Sequence, residues 1–232
     1  MNKLNPRKIL LPSAAVLILI IAVCCFIRPN LNAPKLPPPE LAQSAIDNLL
    51  SADSLSFSSQ SRLLLGDDTV ELGDLEGAVN GADFHVAGQV LGAPLNLYQI
   101  GNKTYRQDTI TDQWLVIEDG KLLEDDALMS EINPRAAFDL SSLGQVSDAQ
   151  TENLAEEKCY RLSFTPQTTD GYYEKFFAAL TYTIWITMDD HQLRQAQIDA
   201  SATANGIEST LRLTIQFWDW NKTPPIEPPV IE

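Results

Sequence analysis

The chain has 232 residues, with 16 Lys and Arg against 31 Asp and Glu, a formal charge of −15. Four of the 16 basic residues and none of the acids fall in residues 1–28, so the rest carries 12 bases against 31 acids, a formal charge of −19. A field of that sign repels nucleic acid and anionic lipid surfaces, which sets nucleic acid aside as a partner; it also keeps a domain in solution.

Residues 1–8 contain Lys3, Arg7 and Lys8 and no acid, and residues 9–27 (ILLPSAAVLILIIAVCCFI) form a nearly unbroken apolar run. A bilayer core of ~30 Å needs ~20 helical residues, so this run is long enough to span it. The positive residues before it favour a cytoplasmic N-terminus. The expectation is a cytoplasmic segment over 1–8 and a transmembrane signal anchor over 9–27. A lipoprotein signal competes: Ile21-Ala22 before Cys24 suits a lipobox, but Val23 stands where a small residue is wanted. Ordinary cleavage wants a small-x-small site, which AVCCFIRPN lacks. Each reading places the body outside the cytoplasmic membrane. The anchor makes the protein single-pass in the cell membrane, its C-terminal domain outside the cytoplasm.

Arg28 to Glu40 (RPNLNAPKLPPPE) is proline-rich, and residues 28–39 read as an extended stalk. One extracytoplasmic domain is expected over 40–222, and a second proline-rich segment over 223–232 closes the chain. After the stalk, Leu41, Ala45 and Leu49 with Ala42, Ile46 and Leu50 form a stripe at helical spacing. Pro38 and Pro39 suit the first turn, and Ser51-Ala52-Asp53 ends the helix.

Period-two segments follow. In SLSFSSQSRLLL, Leu55, Phe57, Leu63 and Leu65 share one parity with Ser59 and Ser61 between them; Ser and Gln take the other, with Arg62. Gly66-Asp67-Asp68 turns the chain into a return strand over 69–79, where Gly73 and Gly77 suggest bends or bulges. Asn80-Gly81 is a hairpin signal. Phe84, Val86 and Val90 share a face, Gly92-Ala93-Pro94 turns into LNLYQI, and Gly101-Asn102 turns into KTYRQD. Trp114 to Ile117 is another short strand.

Short helices are expected over 121–143, with strands again near 144–156 and at Tyr160, Leu162 and Phe164. Cys159, in the strand pattern KCYRLSF, reads as a buried free thiol. Tyr173, Phe177 and Leu180 have helical spacing, so a helix is expected over 170–180, capped by Asp170. Tyr182, Ile184, Ile186 and Met188 share a strand face, and 189–192 turn the chain. Ile207, Leu211, Leu213, Ile215 and Phe217 alternate with polar residues. The expected class is mainly β (α+β): one large antiparallel sheet, curled into a half-barrel, with helices covering its concave face.

IGNKTYRQDTITDQWLVIE (100–118) resembles the turn-Tyr-strand-turn-Trp hairpin of the LolA-like lipoprotein carriers, in particular the LppX/LprG type of bacterial surface lipoprotein. LRLTIQFWDWNKTPPIEPP (211–229) is similar to that group's closing strand and proline-containing tail. The likeness covers roughly residues 40–229 and implies a half-barrel whose apolar concave face holds acyl chains under helical lids.

No HExxH, GxSxG, Walker loop or GxGxxG stands in the sequence, and the adjacent Cys24-Cys25 is not a CxxC half-site. His85 alternates with Phe84 and Val86 and is expected on the surface or a rim; His191 sits in a turn. No enzyme activity and no cofactor are expected. The candidate ligand-lining residues are Leu55, Phe57, Phe84, Val86, Leu97, Tyr173, Phe177, Ile184, Ile186, Leu211 and Leu213. Cys24 is the candidate lipidation site. The expected function is non-catalytic binding of an apolar ligand: a lipid, an acyl chain or a lipidated protein. The rival is an envelope sensor or interaction module that binds a protein partner.

Overall fold

A computed structural model describes residues 34–118, 132–168, 177–204 and 206–231. The expected anchor over 9–27, Cys24, Tyr173 and the expected helical residues 121–131 and 170–176 lie outside the described residues. Among the described residues no helix is long and apolar enough to cross a membrane.

The chain enters through helix α1 (Pro38–Ser51), which has prolines in its first turn and Glu40 near its positive end. Leu41, Ala42, Ala45, Ile46 and Leu49 are buried. The fully buried leucines each contribute roughly 2 kcal/mol of transfer free energy. Leu50, expected in the stripe, is instead 44 % exposed. It lies one residue, about 100°, past Leu49 and falls off the packed edge.

Six strands follow in an unbroken meander: β1 (Ser54–Leu65), β2 (Asp68–Asn80), β3 (Asp83–Val90), β4 (Ala93–Ile100), β5 (Lys103–Gln107) and β6 (Trp114–Glu118). The third turn is Leu91-Gly92, with φ of 51° and 75°, and Ala93 and Pro94 already belong to β4. Two positive φ values in a two-residue loop match the twist of the flanking strands. Pro94 is tolerated because β5 pairs only with Leu97–Ile100, so no neighbouring strand needs its missing N–H. Ser61 pairs with Gly73 but Arg62 with Glu71, so Leu72 is an extra residue and β2 is bulged next to the expected glycine.

Of the segment 121–143, where short helices are expected, the described part begins at 132; it holds a helical Ile132 and the one-turn 3-10 helix η1 (Ala136–Phe138). This turn is followed by β7 (Leu140–Ser142), which pairs with β10 (Gln167–Thr168). The strand expected near 144–156 is the shorter β8 (Gln150–Leu154), and Val146 makes one isolated bridge to Phe164. Then come β9 (Glu157–Phe164), β11 (Ala179–Thr187), β12 (Leu193–Ala204) and β13 (Ile207–Trp218). The helix expected to reach residue 180 does not: Ala179 and Leu180 already pair with Ser201 and Ala200 of β12, and the Ala178 N–H donates to the Ser201 carbonyl.

Eleven strands form one antiparallel, curled sheet in the order β6-β5-β4-β3-β2-β1-β13-β12-β11-β9-β8. β1 and β13, far apart in sequence, pair from Ser56–Trp218 to Leu65–Ser209 and join the two meanders. The junction is pinned at one end. Asn221 Oδ1 accepts the Asp53 N–H at 2.8 Å, Ser54 O accepts the Asn221 N–H at 2.7 Å, and Asn80 Nδ2 donates to Thr223 O at 2.9 Å. Among the described residues the inner face is covered by α1 and by the segment around η1; the other expected covering helices fall on residues outside them.

Candidate ligand-binding face

Register converts the alternating pattern into rows of side chains across the inner face. One row runs Leu97, Val86, Gly77, Phe57, Phe217. The next runs Leu95, Gly88, Leu75, Ser59, Ile215, Ala196, Ile184, Leu162. A third runs Ser61, Leu213, Ile198, Tyr182, Phe164. The opposite face carries Ser56, Ser58, Gln60, Thr214, Gln216 and Gln197. The sequence parity thus becomes an apolar inner surface and a hydroxyl- and amide-rich outer one.

Among the expected lining residues, Leu55, Phe57, Phe84, Val86, Leu97, Ile184, Ile186 and Leu213 are buried in one contiguous core. Leu211 and Phe177 are partly buried against it. Thus ten of the eleven come together, and Tyr173 lies outside the described residues. The Phe57 ring lies over Gly77: a Cβ there would stand 2.6 Å from Phe57 Cζ and 2.6 Å from His85 O. The glycine gives the ring its place.

Cover comes from α1 and the η1 segment. Ile132, Ala137 and Phe138 are buried in the same core. Phe138 meets Tyr182 and Phe217 edge-on, with centroids 5.9 and 6.3 Å apart, and the Tyr182 hydroxyl donates to Ala137 O at 2.6 Å. Arg135 donates to Ala52 O and Gly81 O, which ties this segment to the α1–β1 junction. Burial lowers the Arg135 pKa, and Asp53 opposes the shift. The sequence reading missed Arg135, because an isolated arginine in a loop carries no pattern.

Two polar features stand out on the apolar face. Gln99 and Thr104 are buried and satisfy each other through a 2.7 Å hydrogen bond. Ser59 is 1 % exposed, between Leu75 and Ile215, and its Oγ has no hydrogen-bond partner among the described residues. A buried hydroxyl without a partner costs about 1–3 kcal/mol in protein mutational series. Toward the far ends of β1 and β2 the inner surface runs out to solvent: Leu65 is 38 % and Val70 45 % exposed, and Leu211 is half-buried. The apolar face therefore extends from the core to an open rim.

The remaining candidates lie elsewhere. His85 is on the outer face, stacked on Tyr98 at 4.0 Å, with Nε2 2.9 Å from Asn96 Oδ1. Trp114, edge-on to Tyr98 at 5.4 Å, is on that face too and only half-buried. Cys159 is a buried free thiol, also on the outer face, opposite Thr187. No three His, Cys, Asp or Glu side chains cluster as metal ligands among the described residues.

No protein-family model and no curated protein matches the chain. Solved structures do. The Mycobacterium tuberculosis lipoprotein LppX is 16 % identical with a TM-score of 0.54, over 81 % of this chain and 97 % of that one. LprF from Mycobacterium bovis is 11 % identical with a TM-score of 0.51, over 85 % of this chain and 99 % of that one. The chain has the LolA-like fold expected from its sequence.

Proposed function

We propose that the domain binds the apolar part of a lipid or acylated ligand along its inner face, without catalysis. The observation that carries this reading is the buried Ser59 hydroxyl, without a partner among the described residues, on an apolar surface that reaches solvent at Leu65 and Val70. A ligand entering at that rim would bury exposed apolar area, and its polar atom would give Ser59 a partner that no described residue supplies. The domain works outside the cytoplasm, held to the membrane by residues 9–27.

Native mass spectrometry of the full chain purified in mild detergent tests the reading through co-purified lipid. A fluorescent fatty acid tests it quantitatively. Val70→Glu at the rim and Val86→Trp deep in the face should each weaken binding while the circular dichroism stays β-rich. A wild-type protein that takes up no acyl probe at micromolar concentration would defeat the carrier reading and leave the protein-interaction reading in front. The anchor is tested by intact mass: the membrane form should retain Met1 to Ile27. A diacylglyceryl group on an N-terminal Cys24 would replace the anchor by lipidation.

A further inference from the structure

Among the described residues the eleven-stranded sheet ends in two different edges. β8 (QTENL) exposes Gln150, Thr151, Glu152 and Asn153, and Glu152 pairs with Arg161 at 3.6 Å. Polar and charged residues of this kind blunt an edge against pairing. β6 (WLVIE) is the opposite. Leu115 is 58 % and Ile117 44 % exposed on the inner side, and the strand has no proline or lysine. Its one charge, Glu118, is already paired with Lys103 at 2.9 Å.

The backbone of β6 is set for a particular partner. The Asp108 N–H donates to Gln113 O at 2.8 Å, and these two residues continue the β5–β6 register. Hydrogen-bonded pairs alternate along an antiparallel ladder, so Arg106–Leu115 and Thr104–Ile117 are the next bonded pairs. Trp114, Val116 and Glu118 therefore direct their N–H and C=O groups away from β5, toward the side on which no described strand pairs with β6. Three such residues centred on Val116 form a self-complementary set.

We propose that β6 is a homodimerisation edge, pairing antiparallel with β6 of a second copy about a two-fold axis at Val116. In that register Val116 faces Val116, and Trp114 faces Glu118 in both directions. Each pair exchanges two backbone hydrogen bonds. Leu115 faces Ile117 in the close, non-bonded positions, so the exposed apolar side chains of both copies bury one another. No like charges meet within the strand. The contact is isologous and closes, so it yields a dimer with one continuous sheet and no filament. Both copies are acidic, so added salt should tighten the dimer by screening their repulsion.

The test uses the full chain in detergent, in sedimentation velocity. The protein moiety should have twice the mass of one 25.7 kDa chain. Val116→Lys puts like charges on the axis and should return a monomer with unchanged circular dichroism. Val116→Cys, in a background with Cys24→Ser, Cys25→Ser and Cys159→Ala, should form an intermolecular disulfide on mild oxidation; Thr151→Cys on the β8 edge should not. A wild type monomeric at every concentration overturns the proposal. So does a dimer that survives Val116→Lys without 116–116 cross-linking, or one that dissolves in salt. A monomer that instead pairs with a synthetic WLVIE-like peptide gives the edge to another chain and also overturns it.

Discussion

The phenol of Tyr182 donates to the carbonyl oxygen of Ala137 at 2.6 Å, joining the middle of β11 to the one-turn helix that lies on it. Tyr182 is fully buried, stacked on Phe164 with centroids 5.4 Å apart and edge-on to Phe138. The bond is a polar tie between the inner face and its cover. Tyr182→Phe keeps the ring and strips the Ala137 carbonyl of this donor. A cost of about 1–3 kcal/mol is expected, read as a lower guanidinium midpoint with an unchanged m-value. An unchanged midpoint would mean that the carbonyl finds water.

Gly77→Ala tests the row in which Phe57 lies over the glycine. Gly77 has no positive φ, so the effect is steric: the new methyl meets Phe57 Cζ and His85 O at 2.6 Å each. Ring and backbone both have to shift, and overpacking of this kind costs about 1–3 kcal/mol. Phe57→Leu in the same chain removes one of the two clashes. The double variant should therefore be less destabilised than the sum of the singles. Strict additivity would show that the ring is not the obstacle.

Strand faces were legible in the sequence because period two is local. Leu55 and Phe57, Phe84 and Val86, Ile184 and Ile186 each needed only a few residues of context to be placed on one side. The sequence did not say which strands adjoin, since the β1–β13 pairing brings Phe57 against Phe217 across most of the chain. Helices were less legible. The helical spacing of Tyr173, Phe177 and Leu180 is a local signal and could not show that Ala179 and Leu180 pair with Ser201 and Ala200, about twenty residues further on. Leu50 was misplaced because a stripe read from spacing has no sharp edge. Ser59 was visible as a serine on an apolar parity; its missing partner required the packed neighbours.

Ser59→Ala should leave the ligand-free protein as stable as before, or more stable by roughly 1 kcal/mol. It removes a desolvated hydroxyl and breaks no bond to another described residue. Thermal or urea unfolding of delipidated protein gives the number. A clear loss of stability would mean that the hydroxyl has a partner in solution, such as an ordered water.

Cys159 gives a chemical probe of opening and a pH signature. Burial is the main force that pushes its thiol up to about 11 from the ordinary 9.0; Glu157 and Glu152 add to the shift and Arg194 opposes it. The thiolate is the reactive form, so the folded protein should react slowly with a disulfide reagent at neutral pH and quickly once unfolded. The folded state holds the proton more tightly than the unfolded state. The thiol's contribution to stability is therefore complete below pH 9 and is lost as the pH rises from 9 to 11. Urea midpoints across that window, measured with Cys24→Ser and Cys25→Ser in the background, should fall more steeply with Cys159 than with Cys159→Ala. All other groups are common to both proteins and cancel in the comparison. Parallel pH curves would show that the thiol is not held neutral by the fold.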